Sequence, residues 1–135
     1  MPIIFARVLN SELLTMQRTT LVLGASNKSY RYSYMAANDL QRNGFDVVLV
    51  GRRPDEVNGL PILTTWPHQE AIDTITMYLN ARNQLPYYDD ILNSGARRII
   101  FNPGAENGEL AQLAREKGMD VENACTLVML ATNQY

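Results

Sequence analysis

The densest group of chemistry-bearing side chains in this sequence lies between Gly24 and Tyr34. The apolar run Thr20-Leu21-Val22-Leu23 ends in Gly24-Ala25-Ser26, and the polar stretch Asn27-Lys28-Ser29-Tyr30-Arg31-Tyr32 follows, opening a helix near Ser33. Lys28 and Arg31 bring cationic donors, Ser26, Ser29 and Ser33 bring hydroxyls, and Tyr30, Tyr32 and Tyr34 bring flat surfaces. A strand that turns through glycine into a helix points unpaired backbone N–H groups and the positive end of the helix dipole at one spot, which is a site for an anion such as phosphate. The spacing is not the three-glycine dinucleotide fingerprint, because only Gly24 is present. Such one-glycine turns occur in α/β domains that bind nothing, so the weight rests on the cations and hydroxyls beside it.

A second group follows the run Phe45 to Val50. Where a doubly wound dinucleotide domain holds an acid on a ribose hydroxyl, this chain reads Gly51-Arg52-Arg53-Pro54. Two guanidinium groups there suit a phosphorylated ribose better than a free one, although two solvated loop arginines are the bland alternative. Two further strand ends belong with these: Tyr78-Leu79-Asn80, and Asn102-Pro103-Gly104-Ala105-Glu106-Asn107, the latter a second strand-loop-helix turn. The single histidine, His68, has only Gln69 and Glu70 beside it and no partner to orient it as a base, so a surface-loop role is expected. Trp66 reads as a lid or packing residue. The single cysteine, Cys125, lies among Leu127, Val128 and Met129 and reads as a buried, inert thiol of a reducing, cytoplasmic compartment. No catalytic constellation or metal-ligand spacing emerges.

The elements that must position these groups alternate strand and helix. A buried strand at 20–23 leads to a helix from Ser33 to Asn43 that puts Ala36, Ala37 and Leu40 on one face and stops at Gly44. Phe45 to Val50 completes a right-handed parallel crossover. Asn58-Gly59 and the segment through Pro67 look like an irregular excursion. Ile72 to Leu79 is a third strand, Gln84 to Leu92 a helix with apolar positions at Leu85, Tyr88 and Leu92, and Arg97 to Phe101 a fourth strand. A helix from Asn107 to Lys117, with Leu110, Leu113 and Ala114 inward, precedes a short fifth strand at 119–122. Cys125 to Ala131 closes the chain as helix or strand.

At 135 residues and 46% hydrophobic, the chain has the apolar mass of one two-sided core, with residues 1–16 an N-terminal extension and 17–135 the domain. The extension is apolar at Ile3, Ile4, Phe5, Val8 and Leu9 but lacks a signal-peptide layout. A net charge of -2 and an isoelectric point near 5.3 argue against a nucleic-acid binder. No run approaches the roughly eighteen apolar residues of a membrane span.

Taken together, LVLGAS followed by RYSY, the strand VVLV running into a basic, proline-containing loop, the strand TITMYL and the turn IIFNPGAEN resemble the small CoA-binding proteins related to the N-terminal domain of the succinyl-CoA synthetase alpha subunit. The likeness covers roughly residues 19 to 131. It implies a single α/β, Rossmann-like three-layer domain with a five-stranded parallel sheet. It also implies a CoA diphosphate near Gly24, Ala25 and Ser26 with Lys28, Arg31, Tyr32 and Ser33 in the same loop. The adenine or 3'-phosphate end would lie near Val50, Gly51, Arg52 and Arg53, and the pantetheine would pass Tyr78, Leu79, Asn102, Pro103 and Gly104. Two departures stand out: the thioester-forming synthetases use a phosphorylatable histidine in a further domain, which this chain lacks, and the loop lacks their second and third glycines. The expected function is a stand-alone, nucleotide-binding module for coenzyme A or acyl-CoA, more a binder than an enzyme, with a homo-oligomer or a protein partner left open. A small NADP-binding reductase and an interaction module that has lost its ligand are the alternatives.

Overall fold

A computed structural model of the chain describes residues 18–135; the expected N-terminal extension lies outside the described residues. Strand β1 (Thr19–Leu23) is buried along its whole length, and helix α1 (Tyr32–Arg42) follows it. Then come β2 (Asp46–Val50), β3 (Asp55–Val57), β4 (Leu60–Leu63) and β5 (Ile72–Met77). Helix α2 (Ala81–Gln84), a 3-10 turn (Leu85–Tyr87) and α3 (Tyr88–Leu92) lead to β6 (Arg98–Phe101). Helix α4 (Gly108–Glu116), β7 (Asp120–Asn123) and α5 (Thr126–Ala131) end the domain.

The seven strands form one sheet in the order β3-β4-β2-β1-β5-β6-β7. All neighbours are parallel except β3 and β4. The parallel strands therefore run outward from β1 in both directions, and the order reverses between β1 and β5. In sheets of this kind that reversal leaves a crevice outside the carboxyl ends of the strands, because the following helices leave on opposite faces.

The alternation of side chains along each strand divides the interior in two. Leu21, Leu23, Ile75, Met77, Ile99 and Phe101 face the helices of the β5 to β7 half, where Ile91, Leu110 and Ala114 meet them. Val22 and Leu49 face the other way and are covered by Ala37 and Leu40 of α1 and Leu130 of α5. Trp66 is buried in the first of these layers, with Tyr87 beside it, and so packs as part of the core.

Five strands become seven because the excursion after Arg53 is a hairpin. Asn58 and Gly59, at φ 50 and 82, make its two-residue turn, and Asn58 Nδ2 donates to Asn38 Oδ1 on α1. Pro61 stands opposite Glu56, and pairing with β2 begins one residue later at Ile62. An edge hairpin accommodates the missing N–H at that place. The expected helix from Gln84 to Leu92 is likewise two short helices with Pro86 in the 3-10 turn between them; Leu85 is exposed, and Ile91 is the fully buried apolar position. The closing segment is a helix, with Met129 and Leu130 buried and Val128 on the outside. Cys125 is only half-buried, as a free thiol at its N-cap.

Candidate functional site

The turn after β1 is built by close approach. Gly24 has φ +98, and a Cβ there would lie 3.1 Å from Leu79 N and 3.2 Å from the Tyr78 carbonyl carbon. Glycine is required both by the left-handed backbone and by the end of β5 pressed against it. Gly51 answers it from β2: a Cβ there would fall 2.5 Å from the Ala25 carbonyl oxygen and 2.9 Å from Ile62 Cγ2. The amides of Gly24 and Ala25 both donate to Val50 O at 2.9 and 3.0 Å, and Tyr78 N donates to Leu23 O at 2.8 Å. Thus Gly24, Ala25, Val50, Gly51, Tyr78 and Leu79, separate in sequence, meet at the point where the strand order reverses. Asn27 Nδ2 donates to Asp55 Oδ2 at 2.6 Å, which ties the β1 loop to the start of the hairpin over the Arg52-Arg53 segment.

These bonds also decide which amides remain for a ligand. Gly24 N and Ala25 N are committed to Val50, and Lys28 N donates to Ser26 Oγ at 3.1 Å. The N–H groups of Ser26, Asn27, Tyr32 and Ser33 have no acceptor among the described residues. Helix α1 has Arg31 at its N-cap, no side-chain cap bond and no acid in its first turn. By contrast α4, at the same edge, is capped by Asn107 Oδ1 from Leu110 N at 3.1 Å and carries Glu109 in its first turn. An eleven-residue helix whose open N-terminus is flanked by Lys28 and Arg31 places positive charge against positive dipole, an arrangement that an anion relieves.

Lys28, Arg31, Tyr32, Arg52 and Arg53 are exposed, and no ion-pair partner reaches any of them among the described residues. Ser33 is buried at the helix start. At the end of β6, Pro103 and Gly104 are exposed, and Gly104 N donates to Glu106 Oε1 at 2.8 Å. The side chain of Asn102 is buried and fully occupied: Nδ2 donates to Thr76 Oγ1 and Met77 O, and Oδ1 accepts from Thr126 N. Its part is to hold β5, β6 and α5 together. Tyr78 turns its ring into the layer beneath α1, where burial pushes its phenol far up from the ordinary tyrosine value. Its hydroxyl lies near Thr76 and Thr126, which are bonded to each other at 2.8 Å, and has no hydrogen-bond partner of its own among the described residues.

His68 is exposed, 3.8 Å from Asp90. A groove at the amino ends of the strands, lined in part by Thr19, Gln41, Phe45 and Val47, carries the acids Asp46 and Glu70 and no cation among the described residues. Its acids disfavour an anion.

The strand order defines a Rossmann-like α/β domain whose loops meet at the carboxyl ends of β1, β2 and β5. The chain belongs to the CoA binding domain family, which matches residues 18–131. It is similar to a crystal structure of an uncharacterized protein at 42% identity and TM-score 0.85, covering 87% of this chain and 98% of that one. Uncharacterized protein YneT of Bacillus subtilis (strain 168) is 25% identical over 111 residues, 82% of each chain. The fold is also shared with the dinucleotide forming acetyl-coenzyme A synthetase 1 of Ca. Korarchaeum cryptofilum, at TM-score 0.67 and 20% identity over 84% of this chain and 27% of that one.

Sequence reasoning missed Asn27 with Asp55, and Gln84, a buried side chain behind the loops of β5 and β6. Nothing in the local pattern marks Gln84, because its partners are carbonyls of distant loops. Asn107 did stand where an N-cap belongs, just ahead of an apolar helical pattern.

Proposed function

We propose that this protein is a stand-alone binder of coenzyme A or acyl-CoA whose diphosphate lies at the open N-terminus of α1. The observation that carries the reading is the uncapped, cation-flanked start of α1 beside the crevice, in a chain of the CoA binding domain family. The residues present fit the group. The free amides of Ser26, Asn27, Tyr32 and Ser33 and the side chains of Lys28 and Arg31 would hold the diphosphate, and Arg52 and Arg53 the 3'-phosphate. Leu79, Pro103 and Gly104 would flank the pantetheine. CoA brings a thiol to which acyl groups are attached, and the chain's own residues bind and orient it. We assign the protein to the cytoplasm, where a free, half-buried Cys125 stays reduced.

Isothermal calorimetry with CoA, acetyl-CoA and NADPH tests this reading. Saturable binding of CoA and acetyl-CoA, with NADPH weaker, is expected. Heat from NADPH alone, or from none of the three at millimolar ligand, overturns it.

A further inference from the structure

The loops after β5 and β6, at the carboxyl ends of the strands, are tied together by one buried amide. Gln84 is completely buried at the end of α2. Its Nε2 donates to Leu79 O at 2.8 Å and to Ala105 O at 2.7 Å, so a single group bonds the loop after β5 to the loop after β6. Its Oε1 accepts from Asn107 Nδ2 at 2.8 Å, and that same Nδ2 lies 3.0 Å from Tyr88 Oη. Every polar atom of the Gln84 side chain is therefore used, and its neighbours across α2, α3 and α4 are locked to it. Leu79 is also the residue that a side chain at Gly24 would strike. The chain of contacts thus runs from the helix α4 cap, through Asn107 and Gln84, to the residue that faces the β1 turn across the reversal point.

We propose that Gln84 and Asn107 are positioning residues that set the gap between the β5 and β6 loops and the β1 turn, and so govern the grip on the part of the ligand that extends beyond its nucleotide. The proposal rests on the CoA reading above. Neither side chain touches the ligand. Gln84 holds the Leu79 and Ala105 carbonyls, Asn107 holds Gln84, and the backbone bearing those carbonyls forms the wall of that gap. Among the described residues neither the Gln84 nor the Asn107 side chain bonds to α1 or to the β1 and β2 turns, and Tyr78 N on Leu23 O holds the end of β5 to β1 independently of them, so the two halves of the ligand respond differently when the unit is broken.

The test compares CoA with ADP on the full chain and on three variants. Gln84→Met keeps the volume and removes both donated bonds. Asn107→Asp keeps the helix cap to Leu110 N but removes the donor to Gln84 and Tyr88. Ala114→Gly, a turn farther along α4, lowers stability without a bond to Gln84 or Asn107. CoA affinity should fall about tenfold in Gln84→Met, the equivalent of one buried hydrogen bond, with ADP affinity unchanged. Asn107→Asp should show a smaller fall of the same kind, and Ala114→Gly none below its melting temperature. If CoA and ADP weaken together, or CoA does not weaken, the positioning role is overturned while the CoA reading stands. If the unmodified chain binds neither ligand, the CoA reading itself fails and this role fails with it.

Discussion

Arginine and tyrosine carry the sharpest residue-level tests. Arg52 and Arg53 occupy the place where a dinucleotide domain holds an acid, and the structure brings their loop to the β1 turn through Gly51 against Ala25. Replacing both with alanine should lower CoA affinity about tenfold, the worth of one charge-assisted contact, and leave dephospho-CoA unaffected. Equal losses for the two ligands would place the arginines elsewhere. Tyr78 is the opposite case. Its side chain lies in the core beneath α1, and its hydroxyl is unpartnered, a cost of about 1–3 kcal/mol for a buried group. Tyr78→Phe should therefore raise stability by about 1 kcal/mol in denaturant titrations and leave CoA affinity unchanged. A loss of affinity would mean that the hydroxyl serves the ligand. That the Tyr78 ring turns inward could not be read from its position at a strand end, since the direction depends on register with β1.

The elements that sequence made legible are apolar runs, buried throughout in β1 and at Leu49 and Val50 in β2. Thr20 to Leu23 and Phe45 to Val50 read as parallel strands because apolar runs without alternation suit a covered sheet. The β3-β4 hairpin was hidden because its outer strand, Asp55-Glu56-Val57, is short and charged and Pro61 argues against a strand unless pairing on that side is incomplete. Gly51 was visible only as a boundary, while its reason is the Ala25 carbonyl lying against it. Gly51→Ala should cost about 1–3 kcal/mol, because backbone cannot move aside as a flexible side chain can, and should weaken CoA by shifting the β1 turn. A variant as stable as the parent would show that the turn has room. The last residue, Tyr135, binds α5 back to the sheet: its hydroxyl lies 2.6 Å from Thr20 Oγ1, its ring packs edge-on to Phe45, and Arg98 sits 4.5 Å above it. Burial raises the Tyr135 phenol above its ordinary value, against the opposing pull of Thr20 and Arg98. A raised folded-state pKa means its contribution is complete below about pH 10, the unfolded value, and is lost as pH rises beyond it. Tyr135→Phe should therefore show a flatter alkaline limb in pH-dependent melting, and an unchanged limb would contradict the buried phenol.

At the scale of the whole molecule, sheet order and chemistry agree. The order reverses between β1 and β5, the glycine turns of β1 and β2 press together there, and the unsatisfied amides of α1 start at the same edge. The amino ends of the strands carry acids in their groove, and Asp73 there holds an ion pair with Arg97 at 3.2 Å. Burial pushes Asp73 up, but the bonds from Arg97 and Thr74 outweigh it and leave its carboxyl below the usual value. That contribution is present above about pH 4 and is lost as pH falls through the lowered value. With Arg97 largely in solvent it amounts to less than about 1 kcal/mol, so Asp73→Asn should be nearly neutral at high salt. The alternation of strand and helix announced this architecture. The convergence of loops at one point is a property of long-range register, which no local pattern carries.

The location of the ligand is tested most directly by amide chemical-shift perturbation in an isotope-labelled sample titrated with CoA. The largest shifts should fall on Ser26 to Ser33 and Gly51 to Arg53, with Leu79 and Gly104 following. Shifts confined to the groove at Thr19, Phe45 and Asp46, or none anywhere at saturating CoA, would contradict a ligand seated on the α1 N-terminus.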